Sequence, residues 1–152
     1  DYYWIGLQIR SGHMAGDEGQ NVFLYEDDIE MFMAYAVNQT EKAMQKQSKP
    51  VRWYVAGDSE DVKRKVRFRY GDYYANAECA ISHSFQDVFN PQRTPGMTCT
   101  VLENYLLTDT NETIVTAAST YGLMATYRNL QMKKIMVTRG DWRKFRTGVN
   151  TA

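Results

Sequence analysis

The apolar run Trp4-Ile5-Gly6-Leu7-Gln8-Ile9 carries the chain straight into Arg10, and the residues that follow, Ser11, Gly12 and His13, open with two small ones. A run of this kind reads as a parallel strand buried on both faces. Open α/β sheets place their ligands beyond the carboxyl ends of such strands. A guanidinium at that edge keeps its charge and makes paired hydrogen bonds, which suits a phosphate. It serves equally well to cap the strand by pairing with a nearby carboxylate. The residues alone leave both uses open.

The rest of the chain alternates strand with helix. Tyr3 to Arg10 is the first strand, and residues 11–21 form a glycine-bearing polar loop. Asp27 or Asp28 can cap a helix reaching about Gln47, with Ile29, Phe32, Met33, Ala36 and Val37 at helical spacing. Val51 to Ala56 is a second buried strand; Gly57-Asp58-Ser59 turns into a short helix ending near Tyr70. Residues 76–82 can form a third strand, and Pro91 and Pro95 mark residues 84–97 as loop. A helix from Thr98 to Thr108 carries Val101, Leu102, Tyr105 and Leu106 on one face. Thr113 to Thr116, a helix from the Ser119 turn to Asn129, and Lys134 to Thr138 complete the pattern, with residues from Arg139 onward read as loop or tail. This alternation predicts one α/β domain over residues 1–152: a Rossmann-like sheet of about five parallel strands with helices on both faces.

Eighteen basic residues balance eighteen acidic ones, so no overall field draws nucleic acid or an anionic membrane. The basic stretch Lys63 to Arg69 alternates with apolar residues and reads as a solvated helix face. Aromatic residues make up 13%, which suits a carbohydrate or nucleotide surface and equally a packed core. The first strand begins almost at residue 1, so the chain reads as a fragment of a longer protein, with any membrane anchor outside it. Cys79 and Cys99 have no metal-ligand spacing; they either pair in an oxidising compartment or remain thiols. Asn38 and Asn111 head glycosylation acceptor sequences, in keeping with a secretory setting.

Three strand exits share the sheet edge in this fold. Besides Arg10-Ser11-Gly12, they are Gly57-Asp58-Ser59 and Ala118-Ser119-Thr120-Tyr121-Gly122. The last places hydroxyls and backbone N–H groups at a helix start, an anion site in waiting. With Arg10 it can hold a diphosphate, while Asp58 can accept from a base or ribose. Asp58, Ser59, Ser119 and Thr120 also suit plain helix capping. Neither a P-loop nor a GxGxxG is present, and His13 and His83 cannot build a metal site by themselves.

The three segments resemble the donor-binding motifs of the fucosyltransferase superfamily, which groups α1,2-, α1,6- and protein O-fucosyltransferases. Ile5 to His13 is similar to a strand ending in His-x-Arg; Trp53 to Ser59 is similar to a strand ending in an Asp-Ser pair. Leu102 to Leu107 with Thr113 to Ala125 resembles a helix, a strand and a Ser-Thr-Phe-Gly turn. The resemblance implies the C-terminal half of a GT-B enzyme that binds GDP-fucose without a metal and transfers fucose with inversion to a glycan or protein acceptor in the Golgi lumen. Arg10 is then the catalytic phosphate contact. Gln8, Gly12, His13, Asp58, Ser59, Ser119, Thr120, Tyr121 and Gly122 line the donor. Gln8 stands where the family has histidine and His13 where it has aspartate. Those departures fit a second reading, a non-catalytic module with a structural role in a larger assembly.

Overall fold

A computed structural model describes residues 1–12, 22–78 and 94–140. The elements are β1 (Tyr3–Ile9), α1 (Glu26–Gln47), β2 (Val51–Gly57), α2 (Glu60–Arg69), β3 (Tyr74–Ala75), α3 (Thr94–Thr108), β4 (Glu112–Thr116), α4 (Thr120–Arg128) and β5 (Lys133–Val137). The strands form one parallel sheet in the order β3-β2-β1-β4-β5.

Alternate residues of the central strands face opposite layers. Ile5, Leu7 and Ile9 of β1, with Trp53 and Val55 of β2, pack on Phe32, Met33 and Ala36 of α1 and on Val62 and Val66 of α2. Tyr54 and Ala56 face the other way, toward Leu107 of α3 and Ala125 of α4. The chain therefore winds outward from β1 under one layer and returns from β3 to β4 under the other. At β1 and β4 neighbouring strands send their helices to opposite faces, the kind of switch point beside which open α/β sheets place their ligands. The expected α/β sheet with helices on both faces is the observed one.

Several elements differ from expectation, each for a physical reason. Asp28 does not cap α1 from outside. It sits inside the first turn, fully buried, and accepts from Tyr25 N at 3.0 Å, the reach-back half of a capping box. A third strand pairs at Tyr74–Ala75, ahead of the expected 76–82, of which residues 79–82 lie outside the described residues. Trp53 N donates to Tyr73 O at 2.7 Å and the Tyr73 ring stacks on Trp53, so aromatic packing sets the register. Helix α3 starts at Thr94, within the expected loop, because a proline in the first helical turn forfeits no hydrogen bond. Its stripe of Val101, Leu102, Tyr105 and Leu106 points outward, while Glu103, Asn104 and Leu107 turn inward. The inward polar groups are satisfied: Asn104 Nδ2 donates to Tyr121 O at 2.7 Å and its Oδ1 accepts from Arg128 Nη1 at 2.8 Å.

Candidate functional site

Three strand exits converge at the carboxyl edge. In the first, Arg10 N donates to Thr116 Oγ1 at 2.9 Å, and that hydroxyl donates to Gln8 O at 3.1 Å. The last residue of β4 thus closes the strand-end ladder of β1. Gly12 then takes a φ of 76°, a left-handed conformation that favours glycine.

The second exit supplies Asp58, which is nearly fully buried. Its Oδ1 accepts from Ser11 N at 2.8 Å and from Ser11 Oγ at 3.1 Å. Its Oδ2 accepts from Gly12 N at 2.9 Å and faces Arg10 Nε at 3.4 Å. Three hydrogen bonds and one ion pair occupy most of what a carboxylate can accept. Asp58, expected to accept from a base or ribose, holds the β1 exit in this structure. Ser59 caps α2, its Oγ accepting from Val62 N at 3.4 Å.

The third exit turns through Ala118, a non-glycine residue at φ 62°, into Ser119, the N-cap of α4. Left-handed backbone at a non-glycine residue costs about 1–2 kcal/mol and gathers at ligand-binding turns. Ser119 is buried, yet its side chain makes no capping hydrogen bond. Thr120 is exposed in the first turn. Gly122 is buried against Gln8: a Cβ there would lie 2.4 Å from Gln8 Oε1 and 3.1 Å from Val115 Cβ. That Oε1 is itself buried without a hydrogen-bond partner.

Arg10 is fixed on two sides and open on the third. Nε faces Asp58, and the guanidinium lies 5.3 Å from the centroid of the Phe23 ring. Its side chain remains 31% exposed. Neither terminal nitrogen has a partner among the described residues. Pairing with a carboxylate and presenting a cation at the edge, two uses the sequence left as alternatives, coexist.

Tyr121 is a strut. Its hydroxyl donates to Thr100 O at 2.7 Å and ties α4 to α3. Burial, with the nearby charge of Glu103, pushes its ionisation well above the usual phenol range. The same causes act on Tyr54, whose buried hydroxyl has no hydrogen-bond partner among the described residues. Glu103 meets Lys63 Nζ at 3.2 Å, a buried pair joining α3 to α2. Burial raises the Glu103 carboxyl, and Lys63 offsets this only in part. Lys63 was expected on a solvated face; its neighbours Arg64 and Lys65 are solvent-facing and pair with Asp61 and Glu26.

The structure thus gathers Gln8, Arg10, Gly12, Asp58, Ser119 and Gly122 at one edge. His13, Cys79 and His83 lie outside the described residues. Cys99 is disulfide-bonded. Asn38 lies exposed on α1, and exposed Asn111 uses Oδ1 to accept from Trp4 N at 2.8 Å. Phe23, Thr116 and the Lys63–Glu103 pair were not singled out from sequence. Phe23, an apolar residue closing a polar loop, carried the only local signal.

No protein-family model matches the chain, and no curated protein does. Among solved structures it is similar to NodZ α-1,6-fucosyltransferase co-crystallised with GDP, at 16% identity and a TM-score of 0.48, over 82% of this chain and 34% of that one. It is similar also to fucosyltransferase NodZ from Bradyrhizobium, at 17% identity and a TM-score of 0.49, over 82% and 35%. The NodZ structure soaked with GDP-fucose aligns at 19% identity and a TM-score of 0.46, over 82% and 35%. The chain spans about a third of the length of these structures.

Proposed function

We propose that the β1–β4 edge binds the diphosphate of a nucleotide-sugar, GDP-fucose, and that the chain is the donor-binding half of a fucosyltransferase. One observation carries this reading. Arg10 is held by Asp58 and Phe23 with its terminal nitrogens unpartnered among the described residues, at the carboxyl end of β1 beside β4, where the two strands send their helices to opposite faces. The start of α4, with backbone N–H groups and the uncapped Ser119 hydroxyl, supplies a second set of donors at the β4 exit. The motif resemblance selects guanine and fucose among nucleotide-sugars.

In such a transfer, negative charge grows on the departing diphosphate. A preorganised guanidinium then binds the transition state more strongly than the ground state. The motif resemblance implies that the transfer proceeds with inversion and without a metal. Asp58 is engaged at the β1 exit, so the base that activates the acceptor hydroxyl is a group other than Asp58. A Golgi lumen suits the disulfide at Cys99 and the acceptor sequences at Asn38 and Asn111.

A second reading, a non-catalytic module of a larger assembly, draws on Gln8. Its amide is buried where the family carries a histidine, and an amide cannot move a proton. Thermal unfolding with GDP, UDP and ADP tests the first reading. GDP at a hundred times its dissociation constant is expected to raise Tm by roughly 5–10 °C. UDP and ADP are expected to do less. Absence of any GDP-dependent shift removes it. Transfer of fucose by the full-length protein removes the second.

A further inference from the structure

Arg139 follows β5 at the same carboxyl edge, where the sequence reads as a polar tail. It is nevertheless fixed. Nη1 donates to Val22 O at 2.8 Å, and the guanidinium lies 5.7 Å from the centroid of the Tyr25 ring. The next residue, Gly140, takes a φ of 86° and donates its N–H to buried Asp28 Oδ1 at 2.8 Å. The segment that receives Arg139 also receives Arg10. Phe23 N and Leu24 N donate to Ser11 O at 3.1 and 3.5 Å, and the Phe23 ring lies under the Arg10 guanidinium. Residues 22–25 are thus a strap from the β1 exit to the β5 exit, with one arginine against each of two alternating aromatic rings.

Continuing the strand registers, Arg10 falls level with Ala117 and Arg139 with Ala118, one residue step further along. Gln8 pairs with Val115, Thr116 pairs with Val137, and Ala117 N donates to Val137 O at 2.8 Å. Arg10 and Arg139 therefore leave the sheet on either side of β4, two strand spacings or about 9.6 Å apart at the backbone. Between them the left-handed Ala118 turns β4 toward the start of α4. Their charges are balanced differently. Among the described residues, Arg10 has a carboxylate in ion-pair range and Arg139 has none.

We infer that Arg139 is the second cation of the phosphate site, and that the pair selects a nucleoside diphosphate over a monophosphate. A diphosphate spreads its charge over several oxygens and can bridge two fixed guanidinium groups; a monophosphate meets only one of them. The inference rests on reading the Arg10 edge as a phosphate site.

Calorimetric titration of the whole chain with GDP and GMP tests it. The unaltered chain prefers GDP. Arg139→Gln keeps a donor for Val22 O and removes the charge; it is expected to weaken GDP by about tenfold, the scale of one charge-assisted hydrogen bond, and GMP by less than about threefold. Arg139→Lys retains most of the preference. A GDP-to-GMP ratio in Arg139→Gln within twofold of the unaltered chain overturns the inference, as does equal weakening of both nucleotides. If the unaltered chain binds no GDP, the reading of the Arg10 edge falls first and the role of Arg139 with it.

Discussion

Arg10 Nε and Asp58 Oδ2 lie 3.4 Å apart, joining the ends of β1 and β2 through their side chains. The same carboxylate takes both backbone N–H groups that follow Arg10, those of Ser11 and Gly12. Asp58 is thus a positioning residue for the arginine and for the loop that carries it. Removing it takes a carboxylate acceptor from two buried N–H groups and the counter-ion from Arg10. Asp58→Ala is expected to lower stability by roughly 3 kcal/mol. Urea unfolding measures it; a loss under about 0.5 kcal/mol, ordinary for a surface change, contradicts the assignment.

Gly122 and Gln8 share one volume. A methyl group at Gly122 would meet Gln8 Oε1 at 2.4 Å and Gln8 Cδ at 3.0 Å. Gly122→Ala is expected to cost about 1–3 kcal/mol through overpacking. Gln8→Ala in the same chain is expected to recover much of that loss, since it clears the clash and removes a buried oxygen that has no partner. A double-mutant cycle measures the coupling, and strictly additive losses contradict the contact.

The main frame was legible because β1, β2 and β4 are apolar or β-branched runs between glycine-bearing or polar turns. Three unlike turns in one alternating pattern already pointed to a shared edge. What escaped was set by tertiary contacts. Tyr73 stacking on Trp53 places β3 earlier than its own residues indicate. The apolar stripe of α3 faces outward because Glu103 and Asn104 find partners in Lys63, Tyr121 and Arg128 across the fold. Asp58 read as a ligand contact because nothing local reveals that Ser11 and Gly12, 47 and 46 residues away, supply its donors. Arg139 sits in a stretch without periodicity, and only the strap at residues 22–25 gives it a place.

Glu103 makes stability depend on pH in a defined direction. Burial raises its carboxyl above the ordinary 4.5, and the Lys63 charge offsets that only partly, while Glu60 adds to it. The native chain therefore holds this proton to higher pH than the unfolded chain. The stability it contributes is full below about pH 4.5 and is lost as pH rises through the raised value. Glu103→Gln is expected to be less stable overall, because Lys63 loses its partner, and its urea midpoint is expected to change less unfavourably from pH 4.5 to 7 than that of the unaltered chain. An unchanged slope in the variant contradicts the argument.

Thr40 completes the acceptor sequence that starts at Asn38, yet its hydroxyl is a core group. It accepts from Trp53 Nε1 at 2.7 Å and donates to Ala36 O at 2.9 Å. Thr40→Val strands the indole N–H in the core and is expected to cost about 1–3 kcal/mol. Asn38→Gln removes the same acceptor sequence from an exposed position and is expected to change stability by less than about 0.5 kcal/mol. Thermal unfolding of unglycosylated protein separates the two; equal effects contradict a core role for Thr40.

The most direct measurement is titration of GDP into the chain with Arg10 intact and with Arg10→Ala. Saturable binding is expected for the intact chain, and a loss of roughly 10- to 100-fold for the variant, the worth of a charge-assisted contact to phosphate. Circular dichroism should show that the variant keeps its fold, since Asp58 retains three other donors. GDP binding that is equally strong without the Arg10 guanidinium, or no binding by the intact chain, contradicts a phosphate site at this edge.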